Sequence, residues 1–594
     1  MMQHHPMPPK IKILSKGSSF LKKAMAFLIV VLFSPYCTAL NQLQQHNSPY
    51  LAMHGQDPVH WQNWSASVLQ KAKAENKLIF ISSGYFSCHW CHVMHQESYQ
   101  NPISAKILNQ SFISVKIDRE LNPELDKALI DFSQRAIGQA GWPQHIVLTP
   151  DGYPFAAFIY LNNRNFNTTL NNIIRLWKQY PDKIYQMAKN FTPPYRSPTP
   201  QPLSAAQFQA QLLQHLELKL DDFSGGLTHN MGSSKFPNAP LLQSLLNMPT
   251  LPKPIEEWLL LTLDQMQSQH LFDHIHGGFY RYTIDPEWQT PHFEKMAYTS
   301  ALLSQVYLHA GERFQRNDYL TTAKQTLHYL ETHLYNPTTQ LYQSSQSAID
   351  AYHQEGGNYL WSKQALQKVL APNHVKHLQQ VWSLNTASPY QLGWHPKPNA
   401  KTPPKQWEHI RAQLQTDPKH IPTDSKSILS WNGLILSAYA KAYQTLKQPD
   451  YLQKGERLAL RLSTLIQQKN PPRALSLNGQ PMGEATLEDY AFIYQGLKDW
   501  QKAYPQNTLT NTLNTLKATL LNQFLSTTGW QYQVSPLLPG QQAEWQMKDN
   551  AIPSPTALVS CLAPKTLTLA THALMQRPIE YASYYQPLTL CPPK

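Results

Sequence analysis

The sequence predicts a layered α/β domain followed by an all-α region of recurring helical hairpins, and three observations carry that prediction. Between residues 65 and 191, apolar runs of strand length alternate with segments of helix length. Five prolines fall within TPPYRSPTPQPLS (192–204) and deny that stretch helix and ladder hydrogen bonds, so it reads as an extended linker. Beyond it the strand signal fades and helical stretches recur to the end. At 594 residues the chain is too long for one core.

The elements follow in order. Lys10, Lys12, Lys16, Lys22 and Lys23 precede ten apolar residues, Ala24 to Phe33, and a polar segment ending Cys37-Thr38-Ala39. This is the layout of a secretory signal over residues 1–39. Ten residues rise only about 15 Å as a helix, too short for a hydrocarbon layer of roughly 30 Å. Cleavage after Ala39 is expected, which makes the mature protein exported, periplasmic or secreted, with no stable membrane span; an uncleaved copy would be anchored. Setting those five lysines aside, the 50 Lys and Arg only modestly exceed the 37 Asp and Glu. No basic run stands out later, so no nucleic-acid partner is implied.

Residues 40–191 form the α/β domain. SASVLQKAKAEN (65–76) reads as a helix with Ser65 or Ser67 as cap, and KLIFISSG (77–84) as a strand. FISVKID (112–118) is a second strand, PELDKALIDFSQRA (123–136) a helix, and QHIVLTPDG (144–152) and YPFAAFIYL (153–161) two further strands. Residues 168–191 are helical, interrupted at Pro181. After the linker, helical stretches run over 254–270, 294–311, 317–334, 428–446, 451–469, 487–503 and 507–525. Paired glycines recur in the loops at 224–227, 276–282 and 355–361. Helical hairpins with loops gathered on one side predict an all-α toroid or solenoid over 205–594.

Chemistry concentrates in GYFSCHWCHVMHQES (84–98). A redox dithiol, a haem anchor (Cys-x-x-Cys-His) and a metal clamp of Cys88, Cys91, His92 and His95 all fit the string. Context favours the dithiol. The motif follows a strand, and about fifty residues later Gly141-Trp142-Pro143 leads into another, which is the thioredoxin plan: a CxxC at a helix start facing an X-Pro strand. Cys88 is then the attacking thiolate and Cys91 the resolving thiol. Pro143 docks substrate backbone, and His89, between the sulfurs, stabilises the thiolate. The buried acid that thioredoxin carries six residues before its first cysteine is Ser82 here, so a nearby histidine is expected to accept the proton. With Cys37 removed, Cys88, Cys91, Cys561 and Cys591 remain; pairing Cys88 with Cys91 and Cys561 with Cys591 is the economical arrangement.

NSPYLAMHGQDPVHWQNW (47–64), SCHWCHVMHQES (87–98), VKIDRE (115–120) and GQAGWPQHIVLTPDGYPF (138–155) resemble the thioredoxin domain of the family that includes spermatogenesis-associated protein 20. The resemblance continues through residues 225–240, 273–303, 424–443, 486–497 and 549–557. It implies a thioredoxin-like domain followed by an (α/α)6 six-hairpin toroid similar to N-acylglucosamine 2-epimerases and six-hairpin glycosidases. The positions matching the sugar-binding funnel are Arg281, Trp288, His292, Glu294, Asp424, Trp431, Glu488 and Asp489. Tyr298-Thr299-Ser300 stands where the family has Tyr-Asp-Asn, and Asp350-Ala351-Tyr352 where it has Asp-Ala-Asp. The resulting expectation is an exported thiol–disulfide oxidoreductase acting on protein thiols or disulfides, with no cofactor. The alternatives are a carbohydrate epimerase, isomerase or hydrolase in the toroid, or a sugar- or protein-binding receptor.

Overall fold

In LIFISSG every residue is buried, as an apolar run covered on both faces must be, and it forms the central strand β1 (Leu78–Gly84). The computed structural model describes residues 41–191, 198–228, 234–417, 420–505, 509–533 and 537–592. The expected signal over 1–39 and residues 192–197 of the linker lie outside them.

On one side of β1 runs parallel β2 (Phe112–Asp118); on the other runs antiparallel β3 (Gln144–Leu148), followed by β4 (Pro154–Phe158), giving the order β2-β1-β3-β4. The helices of this part are α1 (Pro49–Met53), α2 (Ala66–Glu75), α3 (His89–Met94), α4 (Pro102–Ser111), α5 (Pro123–Ile137), α6 (Asn163–Gln179) and α7 (Pro181–Phe191). A π-helical turn, His95–Tyr99, extends α3. Pro102, Pro123 and Pro181 each stand at a helix start, where a missing N–H costs nothing. Ser65 precedes α2 but makes no capping bond, because its hydroxyl pairs with Ser67. The β1–α3–β2 crossover with the β3–β4 hairpin is the thioredoxin-like arrangement.

After the linker, outer and inner helices alternate. The outer set is α8 (Ala205–Glu217), α10 (Lys253–Ser268), α12 (Asn317–Tyr329), α17 (Pro449–Ile466), α19 (Thr510–Thr519) and α21 (Lys565–Gln576). The inner set is α9 (Ala239–Asn247), α11 (Ala297–Arg313), α16 (Leu429–Leu446), α18 (Leu487–Ala503), α20 (Pro555–Val559) and the stretch Pro578–Tyr584 continuing into α22 (Tyr585–Leu590). Each inner helix packs on the next, and the 578–590 stretch packs back on α9, closing a six-hairpin (α/α)6 ring. α16 and α18 approach closest, since a Cβ on Gly496 would sit 2.5 Å from the Gly433 carbonyl oxygen. Three helices the sequence reading did not mark, α13 (Lys363–Val369), α14 (Pro372–Val381) and α15 (Pro404–Leu414), form an insertion with its own small core around Trp361, Leu378, Trp407 and Ile410.

The paired glycines are structural. Lys235 donates to Asp221 and to the Gly225 carbonyl, and Lys295 donates to Asp273 (2.8 Å) and the Gly277 carbonyl (2.6 Å). These two loops are thus each stapled by an Asp–Lys pair, with both glycines at positive φ; in the third, Gly356 is at positive φ and Gly357 packs against Asp350. A second disulfide, Cys561–Cys591, ties the segment after α20 to the end of α22.

Candidate functional site

Where β1 ends, the chain turns into the CxxC. Cys88 is the N-cap of α3, its Sγ accepting from the Cys91 N–H at 3.2 Å, and the two sulfurs form a disulfide. Pairing of Ser83 with Gln144 sets Pro143, joined to Trp142 by a cis bond, beside Gly84 at the root of the motif. Cys91 Sγ would lie 2.8 Å from a Cβ on Gly84, so only glycine fits there. Trp142 is fixed by its indole N–H on Asp126 (2.9 Å) and by the Arg119 guanidinium over its ring. The CxxC and the X-Pro strand are therefore neighbours, as the thioredoxin plan requires.

Access is narrower than that plan predicts. Cys88 is only 3 % exposed and Cys91 fully buried, whereas Trp90 between them is 46 % exposed. The cover comes from the toroid. The Tyr85 hydroxyl donates to Glu294 (2.9 Å) and contacts Arg281, Ser87 Oγ meets Met296 Sδ at 3.3 Å, and the Ala348 N–H reaches the Ser87 carbonyl. His89 Nε2 stands 3.7 Å from Glu355, whose other oxygen is hydrogen-bonded to His292 Nδ1; His292 Nε2 in turn lies 3.3 Å from Glu294. Burial works against protonation of His292, yet Glu294 and Glu355 hold it above the ordinary imidazole value. Burial lowers His89, while Glu355 pulls it upward. A continuous chain of ionisable groups thus runs from between the two cysteines into the toroid.

The family model described as "Thioredox_DsbH: Protein of unknown function, DUF255" matches residues 40–194. Spermatogenesis-associated protein 20 of Rattus norvegicus is 30% identical over 550 residues, spanning 79% of this chain and 68% of the rat protein. The chain belongs to this family. The protein of the same name from Homo sapiens is 28% identical over 579 residues, covering 86% of this chain and 73% of the human one. Among solved structures, cellobiose 2-epimerase from Spirochaeta thermophila aligns with a TM-score of 0.41 and 15% identity over 63% of this chain and 84% of that one.

The family motifs expected to line a sugar funnel are instead engaged inside the protein. Arg281, His292 and Glu294 face Tyr85 and the CxxC, as described. Asp424 and Lys426 meet the VKIDRE segment: Lys426 binds Asp118 (3.2 Å), Glu120 (2.7 Å) and Asp424, all buried. Burial with the neighbouring acids pushes Glu120 up to about 7, against the pull of Lys426. Arg473 donates to the Glu120 carbonyl (3.0 Å) and pairs with Glu488 and Asp489, both at 2.8 Å. Asp489 also completes a capping box with Thr486 at the start of α18. Trp288 is fully buried with its N–H on the Ser224 carbonyl, and Trp431 packs edge-on against Tyr298. Six of these eight positions join the toroid to the thioredoxin-like part or brace that junction.

The other polar side chains around the dithiol have their own partners. The metal set Cys88, Cys91, His92 and His95 does not assemble. The sulfurs are bonded to each other, His92 Nε2 pairs with the Phe86 carbonyl (2.7 Å), and His95 Nε2 pairs with Asp57 (2.7 Å). Asp57 also accepts from Trp61 (2.9 Å) and is bonded to His54 (2.8 Å), so its oxygens are committed to hydrogen bonds. Ser82 stands where thioredoxin carries its buried acid. The group bonded to it is not a histidine but Lys116, whose Nζ donates at 3.0 Å, and Tyr99, which passes the network to His145. Burial drives His145 down to about 3, removing it as a proton acceptor near neutrality.

Proposed function

We propose that this protein is an exported thiol–disulfide oxidoreductase whose active site is shared between its two folds. The dithiol comes from the thioredoxin-like part and the acid–base groups His292 and Glu355 from the toroid. The observation that carries this reading is the chain His89–Glu355–His292–Glu294, which begins at the residue that follows Cys88 in the CxxC. In the reducing direction the Cys88 thiolate attacks a substrate disulfide and one substrate sulfur leaves, taking a proton. The Cys91 thiolate then attacks Cys88 Sγ, the second substrate sulfur leaves, and the Cys88–Cys91 disulfide forms; the substrate gains two electrons and two protons. The reverse sequence oxidises a dithiol. Burial keeps His89 below the ordinary imidazole value; when it does take up a proton, with Glu355 pulling in that direction, it stabilises the Cys88 thiolate.

Burial of Cys88 restricts the partner to one that can thread to the sulfur, a small disulfide or an extended chain docking over exposed Trp90. Export is supported by the lysine-led apolar run before Ala39 and by the second disulfide, since paired cysteines accumulate in oxidising compartments. No described helix is long and apolar enough to cross a membrane. The sugar-enzyme alternative rests on the toroid fold, and three of its candidate side chains, Arg281, His292 and Glu294, face Tyr85 or the CxxC loop. Turnover of an aromatic disulfide and of insulin tests the proposal: Cys88→Ser is expected to lose activity by about 100-fold or more. Equal turnover by wild type and Cys88→Ser would remove the redox assignment.

A further inference from the structure

Two guanidiniums meet at the cis-proline loop. Arg119, just past the end of β2, and Arg281, from the toroid, both lie over the Trp142 ring, at 4.0 and 5.5 Å from its centroid. Both also lie over the Tyr85 ring, at 5.5 and 5.3 Å. Trp142 precedes Pro143, and Tyr85 belongs to the loop that leads to Cys88, so both cations occupy the corner where the X-Pro strand meets the CxxC loop. Burial and the Arg281 charge both oppose protonation of Arg119, and Asp126 outweighs them.

The carboxylates beside the pair do not use up its donors. Arg119 Nε donates to Asp126 (3.0 Å), but Asp126 also accepts from Ser83 (2.7 Å) and from the Trp142 indole (2.9 Å). Among the described residues the terminal nitrogens of Arg119 make no hydrogen bond. Arg281 donates through one terminal nitrogen to Glu294 (3.1 Å) and to Tyr85, and its Nε is buried without a partner. A guanidinium presents five N–H donors in a rigid fork that matches a planar, two-oxygen anion. There is room for one. The Arg119 side chain is 24 % exposed, and a Cβ on Gly141, next to Trp142, would meet nothing within 4 Å.

We infer that Arg119 and Arg281 hold a carboxylate of the substrate, so that the dithiol acts on a small disulfide carrying carboxylates close to its sulfurs. The inference rests on the redox reading above and narrows it. Cys88 is buried and the unused Nε of Arg281 lies beneath the toroid, so a small molecule reaches both where a folded partner does not. The reaction is the exchange already given, with the reduced Cys88/Cys91 pair as the electron donor. The carboxylate forms and breaks no bond; its capture fixes where the scissile S–S bond lies relative to Cys88.

The test mixes the reduced full-length protein with dithiodiglycolate or with its neutral bis-amide, which differ in charge and match in size. Formation of the Cys88–Cys91 disulfide is followed by quenched alkylation. Each rate is divided by that of the same disulfide with mercaptoethanol, which removes differences in intrinsic reactivity. The wild type is expected to favour the dianion by about 10-fold or more, through a lower half-saturating concentration. In Arg119→Gln that preference should fall by about 10-fold. Arg119→Lys, which keeps the charge without the fork, should fall between the two and keeps the test open if Arg119→Gln fails to fold. A merely structural role for Arg119 would slow both disulfides alike and leave their ratio unchanged. A wild type with no preference, or a folded Arg119→Gln with the wild-type ratio, overturns the inference. Failure of the wild type to oxidise its dithiol with either disulfide would instead defeat the redox reading on which it rests.

Discussion

Arg473 binds two segments that are far apart in sequence. It pairs with Glu488 and Asp489 and caps the Glu120 carbonyl, while itself 1 % exposed. Replacing it leaves two buried carboxylates without their cation, so Arg473→Met should lower unfolding free energy by about 3–5 kcal/mol, read from urea titration. A loss below about 1 kcal/mol would show that the pairs are dispensable. The dithiol was legible in the sequence because two cysteines at that spacing have few uses. Lys116 was not, since a lysine in a β-strand ordinarily points to solvent; here the alternation hides it because helices cover both faces of β2. Glu355 was equally hidden. Its bond to His292 spans 63 residues and joins loops with no shared motif.

At the scale of elements, strand and helix signals placed β1 to β4 and the long hairpins within a few residues, because burial on known faces dictates their periodicity. The insertion α13–α15 escaped notice, being short, polar and interrupted by proline. α20 and α22 escaped too, at five and six residues each, too short to show a helical period; α1, α4, α8, α9 and α21 were also unmarked. The closest element contact is the one between α16 and α18. Gly496→Ala would press a methyl onto the Gly433 carbonyl at 2.5 Å and should destabilise the toroid by about 1–3 kcal/mol, with a matching drop in Tm. A variant as stable as wild type would mean that the two helices can separate freely.

For the whole molecule, the shared interior sets how stability depends on pH. Burial holds His92 and His274 at about 4 and His145 and His395 at about 3. Their folded values lie below the unfolded one of about 6.5, so they contribute stability above that pH that is lost as the pH falls toward 4. Glu120 and Glu124, pushed up to about 7 by burial, act oppositely: their stabilisation is complete below about 4.5 and lost as the pH rises through 7. The histidines are more numerous, so Tm should fall between pH 6.5 and 4; calorimetry showing a flat or rising Tm would contradict the burial. The thioredoxin-like part and the toroid were each legible in the sequence. Their junction was not, because motifs that resemble a sugar site are the same residue types that build an ion-paired interface.

The central claim is that the toroid tunes the dithiol, and the pH dependence of Cys88 alkylation in reduced wild type and Glu355→Gln tests it most directly. Losing the carboxylate removes support for a cationic His89. The midpoint should therefore rise by about one unit, and the Cys88/Cys91 couple should become more reducing by about 30 mV. Identical midpoints and potentials in the two proteins would contradict the account.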